Sequence, residues 1–524
     1  MAKKQEKEPE EKYHWADSIA EQLCISKPKS GTKFVCSAGI TPSGKVHIGN
    51  FREMITVELV ARAMKQKNKE VKFIYSWDDF DRFRKVPSGM PKPEILENCK
   101  GIQLTKTPDT FGCHKNYAEH FEKDVEKYLP ELGIFPEFIY ESREYEKCVY
   151  SGEIKFILQH KEKIKMILNK FKTDEKLDEN WWPVQIYCEK CMKDMTRILS
   201  WDGNFKLQYE CKCGYKGEID FSKKGIVKLP WRIDWPMRWH YFRVDFEPGG
   251  KEHSTPGGSY TTASEIIKEI YMEAPPLYQK YDFITIKGQG GKMSKSLGNV
   301  IDLEQCLQVY EPQILRYLFV KSRPNTEFAI AFDADVIKIY AEYDCLEQAY
   351  FSSKLDRKQK RIYELSQVSE KPPKNIFAPS FRQMAEIVQL MDSKALLEHY
   401  KQEAKTAEDR TRLMKRAELA RNWLKQAPEE FIFKINEQID KAEAKKLSKK
   451  ETEALKELAE FLGKGITEQH LIDEFKRIAE KHKIGTKEFF AAAYRIIISK
   501  EQGPRLSSLI LLEREKVRKL LEEL

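Results

Sequence analysis

Two short runs in this 524-residue sequence have the residue types that phosphate chemistry needs. The first is His47-Ile48-Gly49-Asn50, which opens a helical pattern carried by Phe51, Met54, Ile55, Leu59 and Met64. A helix N-terminus presents N–H groups and the positive end of its dipole, both suited to phosphate oxygens. Gly49 would let a flat ring approach the backbone, and His47 can donate a hydrogen bond to a phosphate. The second run is Lys292-Met293-Ser294-Lys295-Ser296, after the loop Gly288-Gln289-Gly290-Gly291. Lysines on a glycine-hinged loop can close over a polyphosphate and neutralise charge on a leaving group.

Three further constellations stand outside these runs. Asp78, Asp79 and Asp81 follow the strand-like run Val71–Tyr75. The carboxyl end of a parallel strand is where open α/β sheets bind ligands, so these acids read as a site in preference to a solvated loop. Cys188-x2-Cys191 and Cys211-x-Cys213 have the spacing of a zinc knuckle, in which four thiolates hold Zn²⁺. Asp109-x3-Cys113-His114-x5-His120 offers one oxygen, one sulfur and two nitrogen donors within a short stretch.

The elements that must position these residues alternate. Lys33–Cys36 reads as a buried strand, 37–50 as a loop, 51–64 as a helix and Val71–Tyr75 as a second strand. Strand, loop, helix, strand is a βαβ unit and predicts a parallel sheet of Rossmann type. Residues 87–229 break the pattern and carry most of the eleven cysteines, so they read as an insertion. Strand signals return at Arg243–Phe246 and Phe283–Ile286. From about Phe332 helical periodicity takes over, as in Leu455/Leu458/Leu462 and Leu471/Phe475/Ile478. The expected division is a tail at 1–13, halves of an α/β catalytic domain at 14–86 and 230–331, a zinc-bearing insertion at 87–229, and an all-α region at 332–524.

Composition bounds the classes. Apolar residues make up 41%, enough for ordinary cores, and no run approaches a membrane span or an export signal. An odd cysteine count in such a chain favours thiols or metal ligands over disulfides. A cytoplasmic protein is expected. Lys+Arg exceeds Asp+Glu, 91 to 82, which permits a polyanionic partner without showing one. Basic runs fall at Lys354–Arg361, Lys401–Arg421 and Lys441–Lys450.

The paired runs His47–Asn50 and Lys292–Ser296 resemble the two signature motifs of class I aminoacyl-tRNA synthetases, with Asn50 in place of the usual final histidine. The resemblance sharpens toward the class I lysyl-tRNA synthetases of archaeal and spirochaete type. It runs through His14–Asp17, Ser37–Gly44, Asp78–Arg82, Arg84–Pro87, Trp231–Trp239, Asp245–His253 and, more weakly, Gly503–Leu506. It implies attachment of L-lysine to tRNA(Lys) through a lysyl-adenylate, with ATP as substrate, Mg²⁺ assisting and the ester formed at the terminal ribose 2′-OH. It implies catalytic roles for His47, Asn50, Lys292 and Lys295. ATP contacts would fall on Thr41, Ser43, His47, Gly49, Lys292, Met293, Ser294, Lys295 and Ser296. Lysine contacts would fall on Gly39, Thr41, Trp231, His253, Tyr281 and Asp282. One or two structural zinc ions would be held by Cys188, Cys191, Cys211 and Cys213 and by Asp109, Cys113, His114 and His120. The 332–524 region would read the anticodon of a tRNA bound by a monomer. Two other readings stay open at this point: a class I synthetase for glutamate or arginine, and a catalytically silent synthetase-like RNA-binding protein.

Overall fold

The computed structural model describes residues 13–172, 175–288, 293, 300–463 and 465–524. Lys292, Ser294, Lys295 and Ser296 therefore lie outside the described residues, as does the N-terminal tail apart from Tyr13.

The chain divides into two compact units. One comprises residues 1–330 and 346–373; the other comprises 331–345 and 374–524. The first is built on a five-stranded sheet, spatially ordered Leu277–Tyr281, Phe246–Gly250, Phe34–Ile40, Val71–Trp77, Glu137–Tyr140. Every neighbouring pair is parallel. The chain thus lays down three strands outward from Phe34–Ile40, then returns to build two on its other side. The order reverses between Phe34–Ile40 and Phe246–Gly250, and such a reversal opens a crevice at the carboxyl ends of the strands. Strand cores are apolar on both faces, as a covered parallel sheet requires: Phe34, Val35, Cys36 and Ala38 are all buried.

One expected boundary and one expected pairing change. The stretch 87–229 is not one inserted block, because Glu137–Tyr140 inside it forms the sheet's edge strand, in register with Ile74–Trp77. Its run EFIY is too short to show a period, and only pairing identifies it. Ile284–Ile286 is a strand as expected, but it pairs with Phe328–Ile330 outside the main sheet. Beyond the edge strand the chain forms a separate lobe. It carries a three-stranded antiparallel sheet, Thr196–Trp201, Lys206–Cys211 and Lys216–Asp220, and a two-stranded ladder of Gln185–Ile186 with Val227–Lys228.

A buried charge knot closes the first unit. Glu58, on the helix Ile48–Lys65, accepts from Arg62 Nε at 2.6 Å and from Arg316 NH2 at 2.7 Å. Arg316, fully buried, also donates to the carbonyls of Leu132 and Leu365, each at 2.9 Å. Arg62 donates to the carbonyl of Gln367. Residues 346–373 consequently belong with the first unit and not with the second, and the basic run Lys354–Arg361 goes with them. Within it Arg361 forms a two-point pair with Asp17, at 2.7 and 2.8 Å.

In the second unit the described residues form α-helices and a short 3₁₀ turn. Helices Lys449–Phe461, Glu468–His482, Thr486–Ile498 and Arg514–Glu522 bury Leu455, Leu458, Leu471, Phe475, Ile478, Phe489 and Ile496 in one core. Arg416, also fully buried, pairs with both oxygens of Asp344 at 2.9 Å.

Removing one member of a buried charge cluster strands the others and costs about 3–5 kcal/mol. Glu58→Ala is expected to lower the unfolding free energy of the full chain by that amount. Urea denaturation followed by circular dichroism reads it, and an unchanged midpoint would contradict the role given to the knot.

Candidate active site

At the sheet's reversal point lies a cleft of about 480 Å³. Its wall is drawn from every strand but Glu137–Tyr140: Gly39 near the end of Phe34–Ile40 and Thr41 just past it, Asp78 and Asp81 after Val71–Trp77, Glu252 and His253 after Phe246–Gly250, and Tyr281 at the end of Leu277–Tyr281. Trp231, Ser43, Asn50 and Glu53 also line it, as do the cations Arg82, Arg84 and Lys85. Gly39 allows the strand to pass close to its neighbour, since a Cβ there would stand 2.8 Å from the Ser76 carbonyl oxygen.

The helix that begins at Ile48 is set by its flanks. Asn50 Oδ1 accepts the His47 backbone N–H at 3.3 Å, and the Ile48 N–H bonds the Ile301 carbonyl at 2.7 Å. Asparagine in the fourth motif position therefore holds the turn. The expectation for Gly49, a place for a flat ring, meets a nearer cause: a Cβ there would lie 2.9 Å from the His47 imidazole and 3.4 Å from Met293. Met293 is itself buried.

The acidic row is not a solvated loop. Asp78 pairs with Arg238 at 2.8 Å, and Arg238 also reaches Asp234 and Glu141 at 2.9 and 3.0 Å. Asp79 accepts the Ser142 N–H at 2.7 Å and its hydroxyl at 2.5 Å. Asp81 pairs with Lys228 and accepts the Thr41 hydroxyl at 3.0 Å. The tryptophans divide. Trp235 and Trp239, one helical turn apart, are buried and donate their indole N–H groups to Glu247 at 3.0 and 2.6 Å. Burial pushes the Glu247 carboxyl up to about 7. Trp231 stacks on Trp235, ring centres 4.9 Å apart, and faces the cleft.

Of the six residues expected around a lysine ligand, Gly39, Thr41, Trp231, His253 and Tyr281 meet at this cleft. Asp282 does not. Its carboxylate pairs with Lys251 and accepts the Phe283 N–H at 2.8 Å, away from the cleft wall. Besides Asp78, Asp81 and Glu252, a fourth carboxylate lines the cleft: Glu53, which no sequence motif singled out. It accepts the Gly39 N–H at 3.0 Å and the Tyr281 hydroxyl at 2.7 Å. Burial drives its carboxyl up to about 8, against those two hydrogen bonds, which favour the charge. The available signal was its place: an acid three positions past Asn50, in the second turn of the helix that the first signature run opens. Asp245, another acid near the strand ends, clasps the backbone N–H groups of Lys29 and Val35 at 2.9 and 2.8 Å and is structural.

Both metal-type clusters assemble. The sulfurs of Cys188 and Cys213 lie 3.7 Å apart, and those of Cys191 and Cys211 3.6 Å. Two thiolates each ~2.3 Å from a tetrahedral Zn²⁺ would stand ~3.8 Å apart, so the separations fit one ion. Cys113 Sγ lies 3.1 Å from His114 Nδ1 and 3.2 Å from His120 Nδ1, with Asp109 Oδ2 at 3.5 Å. Each set of four donors falls within 4.8 Å of one another. No helix among the described residues is long and apolar enough to cross a membrane.

The sequence matches the family model of class I (K) tRNA synthetases over residues 13–369. It is 43% identical over 511 residues to a lysine–tRNA ligase of Borrelia garinii subsp. bavariensis, covering 95% of this chain and 96% of that one. A lysine–tRNA ligase of Treponema pallidum is 41% identical over 512 residues, with 95% and 96% covered. One of Pyrococcus horikoshii is 40% identical over 516 residues, with 95% and 97% covered. With the parallel sheet, the cleft at its reversal point and the two signature runs, these matches place the chain in the class I (K) tRNA synthetase family.

Proposed function

We propose that this cleft joins L-lysine to ATP as lysyl-adenylate and passes the lysyl group to tRNA(Lys). Glu53 is the observation that carries lysine over glutamate, and the likeness to lysine–tRNA ligases at 40–43% identity carries it over arginine. An anionic side chain would meet a carboxylate on the cleft wall, whereas an ammonium would be answered by it through a charge-assisted hydrogen bond. Trp231 offers an apolar face for the methylene stem and a π face for the cation. Gly39, Thr41, His253 and Tyr281 complete the surround, and Glu53 takes the part that the family resemblance gives to Asp282.

His47 and the positive end of the helix it opens serve the phosphates of ATP, with Thr41 and Ser43 beside them. Lys292 and Lys295 are assigned to the phosphates by their motif alone. A lysine carboxylate oxygen attacks the α-phosphorus and pyrophosphate leaves. The ribose 2′-OH of the tRNA terminus then attacks the acyl carbon and AMP leaves. The protein's part is orientation and charge stabilisation. Mg²⁺ accompanies ATP as part of that substrate. The four cysteines would hold one zinc ion and Asp109, Cys113, His114 and His120 a second. In both places the metal would serve as a structural cross-link. The helical unit, with basic runs Lys401–Arg421 and Lys441–Lys450, is assigned to the anticodon arm, and the protein acts as a cytoplasmic monomer.

The rise of the Glu53 carboxyl gives lysine binding a pH dependence. In the empty cleft the group is protonated below about 8. An arriving ammonium favours the carboxylate and expels that proton. Lysine affinity should therefore climb from pH 6.5 to about 8 and then level off, until the ligand's own ammonium titrates near ~10.4. Glu53→Gln should raise the lysine KM by ~10-fold or more, the worth of a charge-assisted hydrogen bond, and flatten the pH profile. Lysine-dependent ATP–pyrophosphate exchange with tRNA present measures both. An unchanged KM in the variant would reject the assignment, and exchange with glutamate or arginine instead of lysine would reject the function.

Elemental analysis is expected to find zinc in both clusters. Because such a site folds as it binds, chelation should lower the melting temperature, and Cys188→Ser with Cys191→Ser should remove one ion per chain. A zinc-free preparation with undiminished stability would refute the metal assignment.

A further inference from the structure

One buried cation near the cleft has no part in the chemistry above. Lys228 is only 8% exposed and does not line the cleft. It ends the short strand Val227–Lys228, paired with Gln185–Ile186 two residues ahead of Cys188. Its ammonium reaches Asp81 Oδ1, and the other oxygen of that carboxylate accepts the Thr41 hydroxyl at 3.0 Å. Asp81 and Thr41 both line the cleft. Lys228, Asp81 and Thr41 thus form a line from the four-cysteine lobe to the cleft wall.

The line is not isolated. Tyr187, just before Cys188, donates its hydroxyl to the Phe80 carbonyl at 2.7 Å. Asp194, three residues past Cys191, accepts from Arg82 at 2.8 Å. Its own N–H bonds the Gly101 carbonyl at 2.9 Å. Three consecutive residues of the acidic loop, Phe80, Asp81 and Arg82, are therefore each gripped by a different residue of the four-cysteine lobe. Phe80 adds apolar packing, its ring stacked on Tyr145 and edge-on to Tyr187. Among these three ties the Lys228 one alone continues, through a shared carboxylate, to a side chain on the opposite strand's loop.

We propose that Lys228 is a positioning residue for the substrate cleft, acting through Asp81 to hold Thr41 in place and so fastening the cleft wall to the four-cysteine lobe. This rests on the reading of the cleft as the lysine and ATP site. A carboxylate held from one side by an ammonium has a fixed second oxygen, and a fixed acceptor sets the threonine rotamer. Without Lys228, Asp81 is free to turn, and Thr41 loses the partner that orients it. Placement errors of this kind, an ångström or less, cost up to ~100-fold in rate.

The test is a double-mutant cycle on the full chain, read by lysine-dependent ATP–pyrophosphate exchange with tRNA present. Lys228→Met and Thr41→Val should each raise the lysine KM by ~10-fold, a conversion of one misplaced hydrogen bond. The two together should be no worse than the more damaging single change, because both break the same line. Additive effects would overturn the proposal, and so would a Lys228→Met enzyme with wild-type KM. A merely structural role for Lys228 would lower the melting temperature and leave KM alone, which is also an overturning result. If Lys228→Met fails to fold, Asp81→Asn takes its place in the cycle with the same expectations, since it keeps the shape and removes the attraction. Wild-type protein that exchanges no pyrophosphate with lysine would count against the function itself, and is separable from the behaviour of the variants.

Discussion

A row of carboxylates at the end of the strand Val71–Trp77 has to sit out of water beside the cleft, and a buried charge survives there only if it is met. Much of the catalytic unit is arranged to meet it. Asp78 is answered by Arg238 from the tryptophan-rich helix Trp231–Phe242, Asp79 by Ser142 just past the edge strand, and Asp81 by Lys228 at the end of the cysteine lobe. These partners come from three separate stretches of chain. Holding the acids in place therefore also fixes the return path of the polypeptide after each excursion. Arg238 faces three carboxylates, Asp78, Asp234 and Glu141. Burial raises the Glu141 carboxyl to about 8, with Asp234 and Asp78 adding to the rise and Arg238 opposing it.

The βαβ start of the fold was legible in the sequence because its strands are continuous apolar runs and its helix begins at a motif with a mechanism. The helices of the second unit were legible because Leu455, Leu458, Leu471, Phe475 and Ile478 repeat at helical spacing and all reach one core. The edge strand Glu137–Tyr140 was not legible. Four residues carry no period, and its status comes from hydrogen bonds to Ile74–Trp77 that no local pattern encodes. The limits of the catalytic unit were misplaced for a similar reason: helical texture says nothing about which core a helix joins.

At the site, residues given by loop motifs converge: Gly39, Thr41, Trp231, His253 and Tyr281 come from four segments to one cleft. Asp282 was named for its place beside Tyr281, and adjacency in sequence is not adjacency in space. Asp282 follows Tyr281 directly, yet successive residues at a strand end point to opposite sides, and Asp282 turns to Lys251. Glu53 comes to Tyr281 from a helix 228 residues earlier in the chain. The two cysteine pairs, by contrast, do come together as their spacing led one to expect, with all four sulfurs within 4.8 Å of one another.

The arginine knot decides where a working catalytic fragment could end. Arg62 and Arg316, both buried, direct N–H groups at the backbone carbonyls of Leu365 and Gln367. The same stretch passes so near Gly133 that a Cβ on that glycine would meet the Val368 carbonyl oxygen at 2.0 Å. A chain cut where the strands cease, after Phe328–Ile330, would retain every motif yet leave two guanidinium groups facing a gap. A dissection of this protein into its working parts should carry the catalytic piece through 346–373, taking as its border the place where buried donors run out and not the place where secondary structure changes.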